Sequence, residues 1–270
     1  MSVLPIKTNH AFTFQGKSFS GISWKTSESP SHWTIALHGF GRGPQDFEKF
    51  AVAVGPNEGL LAISFFAHND SDFFSKDETE KGWPVEAWKD QLTFLLQELR
   101  VSKCTLLCYS LGGRLGLKWI ELSPEKIISA QFYAPDGLVR NKLYRFTVGT
   151  KIGHWLAQKI VHNPKSILTC AHLLNRLHLL PKKLLNFVEY HLASEEIRKQ
   201  VFNVWMGYRH CYPNLKIVSK NLKQFEIPAE FIFGKYDAII PWKHGKKLRK
   251  LTQGNARVQW KQLEKGHKIL

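Results

Sequence analysis

The chain has 270 residues, 43% of them hydrophobic, nine tryptophans and a formal net charge of +16. That length and apolar content allow one large buried core and exclude a disordered chain. No apolar run reaches the roughly 18 residues needed to cross a bilayer, and the N-terminus lacks the basic start and apolar run of a signal peptide. The four cysteines, Cys104, Cys108, Cys170 and Cys211, form no C-x-x-C pair or Cys/His cluster. Free buried thiols, no metal, no cofactor and a reducing, cytoplasmic setting are therefore the expectation.

Taken in chain order, residues 10–14 and 18–24 read as an opening antiparallel pair, and residues 33–39 and 60–66 as buried strands. From Val85 the apolar residues Val85, Trp88, Leu92, Leu95 and Leu99 recur at spacings of 3 and 4, one face of an amphipathic helix with Pro84 near its first turn. Residues 103–109 read as a strand, 115–122 as a helix and 126–134 as a strand. The pattern changes near Asp136. Residues 138–225 show helical periodicities (Ile152, Trp155, Leu156, Ile160; then Ile197, Val201, Trp205, Tyr208), broken at Pro164, Pro181 and Pro213. Strand 229–234, helix 241–252 and strand 256–260 resume the series. Alternating strands and helices predict an α/β fold, a mainly parallel sheet covered by helices on both faces. The helical block 137–225 reads as a lid inserted into a core made of 1–136 and 226–270.

The segment CYSLGGR, 108–114, places Ser110 where a strand gives way to a helix. A serine at such a junction is often only a helix N-cap. The hydrolase elbow pattern is G-x-S-x-G; here Cys108 stands at its first glycine. Three further features bear on Ser110. LHGFGRG, 37–43, is a His-Gly loop following a buried strand. The backbone N–H groups of Phe40 there and of Leu111, after Ser110, are candidates for cradling an oxyanion. Asp237 follows a strand in FGKYD, and His267 follows the last strand in EKGHKIL. The order Ser, Asp, His at successive strand ends is far more specific than any one motif.

On these residues the chain resembles the α/β-hydrolase superfamily over 10–136 and 226–270, with the family's usual lid position at 137–225. The resemblance implies Ser110 as nucleophile, His267 as general base and then acid, and Asp237 as the residue that orients the imidazole. Asp136, in YAPDG, is the alternative acid, because some members carry it after the sixth strand. Family members usually continue beyond the histidine into a further helix. This sequence stops three residues after His267, which reads either as a more mobile histidine loop or as a truncated or unusual end.

The elbow run Ser-x-Gly-Gly-Arg is similar to a subgroup that includes the menaquinone-pathway 2-succinyl-6-hydroxy-2,4-cyclohexadiene-1-carboxylate synthase. That similarity implies a lyase reading in which Arg114 holds a substrate carboxylate. Tyr109 is a second candidate substrate contact. Residues 138–225 carry 15 Lys and Arg against three Glu, which points to an anionic acyl substrate or an anionic membrane surface as partner. No nucleic-acid module accompanies the charge. Trp155, Phe187, Trp205 and Tyr208 read either as a tunnel lining or as the lid's own core. The leading expectation is a serine hydrolase acting on a carboxylic ester. The alternatives are the lyase and a non-catalytic module that binds anionic ligands or membranes.

Overall fold

The structure is a computed structural model that describes residues 4–270, except the side chains of Lys183 and Phe187. Its strands are β1 (Ile6–Phe14), β2 (Lys17–Lys25), β3 (His32–Leu37), β4 (Glu58–Ile63), β5 (Cys104–Tyr109), β6 (Ile127–Tyr133), β7 (Ala229–Gly234) and β8 (Val258–Leu263). The helices are α1 (Lys76–Lys81), α2 (Val85–Glu98), α3 (Leu111–Leu122), α4 (Lys142–Gly149), α5 (Lys151–His162), α6 (Lys165–Arg176), α7 (Lys182–Leu192), α8 (Glu195–Gly207), α9 (Leu215–Gln224) and α10 (Lys246–Leu251). The chain divides into two units. One comprises residues up to 72, 84–139 and 211–270; the other comprises 73–83 and 140–210.

Among the described residues, the first unit holds all eight strands in one sheet, ordered β1-β2-β4-β3-β5-β6-β7-β8. The joints β1–β2 and β2–β4 are antiparallel and the rest parallel. The β1–β2 hairpin turns on Gln15 and Gly16, both at positive φ (50° and 75°), as a two-residue primed turn requires. Strands β3 and β5 lie in the sheet's interior and are almost wholly buried, which explains their unbroken apolar runs. On the helix side, the α2 stripe brings Trp88 against Trp119 of α3, with ring centroids 4.5 Å apart. Each indole N–H is satisfied across the pair: Trp88 donates to the Leu115 carbonyl and Trp119 to the Trp88 carbonyl. Parallel register aligns Phe132, Phe231 and Trp260 on β6, β7 and β8 into a stack with 4.9 and 4.3 Å spacings.

Several boundaries differ from the expectation. Strand β4 ends at Ile63, not at 66, because the Phe65 N–H turns away to bond the His38 imidazole. Helix α3 starts directly after Ser110. Helix α9, expected in the insertion, belongs to the first unit: Asn221 donates to the Ile120 carbonyl, and Ser219 to the Leu251 carbonyl. Helical periodicity reports a buried face but not which unit buries it. Cys104, Cys108 and Cys211 are buried free thiols, while Cys170 is exposed.

The second unit is α-helical. It recruits residues 73–83, whose short α1 is set by a capping box between Ser75 and Glu78. Asn203 of α8 holds Phe74 through both its backbone N–H and carbonyl, each at 2.9 Å. Phe74, Trp83 and Tyr208 pack ring to ring. Arg198 of α8 donates to the carbonyls of Val161 and Leu192, tying α5 and α7 to it. Asn141, Thr150 and Ser194 cap α4, α5 and α8. Of the aromatic set read as tunnel lining or lid core, Tyr208 is fully buried and Trp205 half-buried, whereas Trp155 is 56% exposed. The Phe187 side chain lies outside the described residues. Among the described residues, no helix is long and apolar enough to cross a membrane.

Candidate active site

Ser110 sits between β5 and α3 with φ 51° and ψ −112°, a region that costs a non-glycine residue strain and persists only where neighbours impose it. The neighbours are explicit. The Ser110 N–H donates to the Tyr133 carbonyl at 3.0 Å, and its carbonyl accepts from the N–H groups of Gly113 and Asp136 at 2.9 Å. Gly112 donates to the His38 carbonyl at 2.9 Å, and a Cβ on it would lie 2.0 Å from the Leu37 carbonyl oxygen. No side chain fits there. The departure at Cys108 is also accounted for. Its thiol is fully buried, and a Cβ on Gly116 would come within 2.5 Å of its sulfur. Gly116, the third glycine of α3, thus makes the room that the missing first glycine would have left.

Asp237 and His267 are brought to this serine from the loops after β7 and β8. His267 Nε2 lies 3.2 Å from Ser110 Oγ, and His267 Nδ1 lies 2.7 Å from Asp237 Oδ2. Asp237 Oδ1 accepts from the N–H groups of Ile239 and Ile240, both at 2.8 Å. Burial alone would raise this carboxyl. The His267 hydrogen bond and charge, with the Ile240 and Ile239 N–H groups, outweigh it and hold Asp237 below the ordinary carboxylate range. An ionised Asp237 takes the Nδ1 proton's hydrogen bond, which leaves Nε2 as an acceptor for the serine hydroxyl.

The His267 segment is anchored by contacts the sequence did not disclose. Tyr109 donates its hydroxyl to the His267 carbonyl at 3.1 Å, its ring lies 5.5 Å from the imidazole, and Ile269 is buried in the same cluster. Tyr109, expected as a substrate contact, is 5% exposed and serves as a strut behind the histidine. Its hydroxyl is pushed up to about 12, chiefly by burial.

Arg114 and Asp136 also differ from expectation. Arg114 is 3% exposed, with its Nε 3.3 Å from Asp136 Oδ2 and its guanidinium over the Tyr212 ring at 5.2 Å. Its charge is taken up within the protein instead of facing a ligand carboxylate. Asp136 is correspondingly committed to Arg114 and, through Oδ1, to the Gly137 N–H.

The loop after β3 carries Phe40, and α3 opens on Leu111. The Gly112–His38 bond joins these two segments. His38 is fully buried: its Nδ1 donates to the Gly39 carbonyl at 2.7 Å and its Nε2 accepts from the Phe65 N–H at 3.1 Å. Beside it lies His68, also buried, its ring 5.0 Å from His38 and 5.4 Å from Phe40. Burial first, then the neighbouring His68, keeps His38 well below the ordinary histidine range. Burial lowers His68 to about 4. The loop therefore rests on two neutral imidazoles. His68 follows the apolar run of β4, and nothing in its spacing marked it. Among the described residues, no group of three or more His, Cys, Asp or Glu is placed to hold a metal ion.

No sequence-family model matches the chain, and no curated protein matches it by sequence. Solved structures do match. An α/β hydrolase, MGS-M2, from a Medee basin deep-sea metagenome library is 16% identical, with a TM-score of 0.65 over 96% of this chain and 90% of that one. A carboxylesterase from the thaumarchaeon Nitrososphaera gargenis is 14% identical, with a TM-score of 0.62 over 96% and 91%. A haloalkane dehalogenase from Agrobacterium tumefaciens is 14% identical, with a TM-score of 0.61 over 96% and 89%. This chain has the α/β-hydrolase fold. The range of chemistries on that fold means the reaction must be argued from the site.

Proposed function

We propose that this chain, built on the α/β-hydrolase fold, is a serine hydrolase that cleaves a carboxylic ester or related acyl substrate through an acyl-enzyme. The observation that carries the reading is the unbroken relay from Ser110 Oγ to His267 Nε2 and from His267 Nδ1 to Asp237 Oδ2.

Ser110 Oγ attacks the acyl carbonyl while His267 Nε2 takes its proton. The tetrahedral oxyanion is met by the N–H groups of Leu111 and Phe40. Leu111 sits in the first turn of α3, where backbone donors have no intrahelical partner and the dipole favours negative charge. The proton on His267 then passes to the leaving alcohol or thiol, which departs as the carbonyl re-forms on Ser110. Water, deprotonated by His267, repeats the sequence and releases the acid. Asp237 keeps its charge throughout and stabilises the transient imidazolium. The lyase reading has no supporting observation, because the arginine it needs is buried against Asp136.

The test is a panel of p-nitrophenyl esters of increasing acyl length, read in the pre-steady state. A burst of nitrophenol equal to the enzyme concentration, absent in Ser110→Ala, is expected for an acyl-enzyme. A steady rate that survives Ser110→Ala would assign turnover to another group.

A further inference from the structure

We propose that the α4–α7 face of the second unit docks on an anionic lipid bilayer, led by the apolar turn between α6 and α7. This stands apart from the catalytic reading, since no residue of that reading lies on this face.

Two observations coincide there. The first is charge. Across α4–α7, from Lys142 to Leu192, the chain holds eight Lys and Arg against a single acid, Glu189. The second is exposed apolar bulk. Among the described residues, 22 large hydrophobic side chains are exposed, and ten of them fall between Leu143 and Leu179. Patches of that kind on a charged surface mark an interaction site.

The arrangement is helical and local. On α5, Ile152, Trp155 and Leu156 are exposed and share one face with Lys159, whose ammonium lies 5.5 Å from the Trp155 ring. On α4, Leu143 and Phe146 are exposed beside Lys142 and Arg145. The turn 177–180 is the most pronounced case. Leu177 is 56% and Leu179 70% exposed, and Arg176 and Lys182 flank them. This turn is ordered: Asn175 donates its side-chain N–H to the Leu180 carbonyl at 2.7 Å, and the backbone N–H groups of Leu179 and Leu180 bond the Leu174 carbonyl. Two leucines are thus held out in water by a built turn.

The combination selects the occupant. A bilayer offers both parts at once: anionic headgroups for the cations and an acyl boundary for the leucines. A nucleic acid would pair with the cations and leave the apolar side chains in water. A second copy of the chain would bring the same cation-rich face, whose one acid in α4–α7, Glu189, already faces His172, and like charges would meet.

The experiment is vesicle co-sedimentation with the full chain carrying Ser110→Ala, so that lipid cleavage does not intervene and the result is independent of whether Ser110 is the nucleophile. The probes are phosphatidylcholine vesicles with and without phosphatidylserine, and a DNA duplex. Binding to the phosphatidylserine vesicles, weakened by salt and by leaving out the anionic lipid, is expected. Leu177→Ser with Leu179→Ser should reduce it about tenfold or more, since two buried leucines are lost, and leave the melting temperature unchanged. Arg176→Gln with Lys182→Gln should reduce the dependence on phosphatidylserine. The proposal is overturned by equal binding to neutral and anionic vesicles, or by full binding in the double-serine variant. It is likewise overturned by self-association without vesicle binding, or by duplex binding as tight as vesicle binding and indifferent to the serines.

Discussion

Asp237→Asn tests the relay where the structure makes the outcome most specific. In the native protein Asp237 Oδ1 accepts two backbone N–H bonds, from Ile239 and Ile240, while Oδ2 faces His267 Nδ1. An asparagine has one acceptor and one donor group. Its oxygen must stay with the two N–H groups, because an NH2 there would leave both unsatisfied in a buried site, at about 1–3 kcal/mol each. Its NH2 then faces Nδ1, which can bond it only as an acceptor. The imidazole proton is driven to Nε2, where it points at Ser110 Oγ instead of receiving the serine proton. A histidine held in that tautomer is not a base toward the serine, and the expected loss is about 10⁴-fold in kcat. Ester turnover and circular dichroism melting, measured on the same preparations, provide the assay. The expected outcome is lost turnover with a folded, cooperative protein. Turnover within about tenfold of the native rate would refute the tautomer argument. It would also return Asp136 to consideration as the orienting acid.

Tyr109→Phe removes the strut on the His267 carbonyl; kcat should fall several-fold while KM stays nearly constant, and a rise in KM alone would make Tyr109 a substrate contact after all. Asp136→Asn removes the carboxylate 3.3 Å from the buried Arg114 Nε, so thermal stability should fall by about 1–3 kcal/mol, with the relay geometry kept and ester turnover largely retained at temperatures where the variant is folded. Acid should weaken the fold through His68. Its folded pKa of about 4 lies below the ordinary 6.5, so the unfolded chain binds the proton first. Stability is then complete above about pH 6.5 and falls as pH drops toward 4. His38 adds to the effect in the same direction. Urea unfolding across that window should give a decreasing midpoint on acidification, and His68→Gln should flatten the decrease.

The sheet was legible because buried parallel strands write themselves as apolar runs, and β3, β5 and β7 fell within a few residues of their expected bounds. The three residues of the relay were legible for a different reason: each follows the end of a strand, at once for Ser110 and within a short loop for Asp237 and His267, and the sheet brings strand ends to one edge. What escaped the sequence were relations between distant segments. Tyr109 read as a ligand contact because nothing in CYSLGGR reveals that its hydroxyl reaches the His267 carbonyl, 158 residues away. Arg114 read as a carboxylate binder because its partner, Asp136, lies across the sheet's next crossover. The placement of α9 and of residues 73–83 depends on which core buries their apolar faces, and a periodicity of 3.6 carries no such address.

The central claim is that Ser110 is a nucleophile activated by His267. Intact-mass and peptide analysis after exposure to a fluorophosphonate probe tests it most directly. A single adduct on the peptide containing Ser110, lost in His267→Ala, is expected. A folded native chain that stays unmodified, or an adduct formed equally well in His267→Ala, would contradict it.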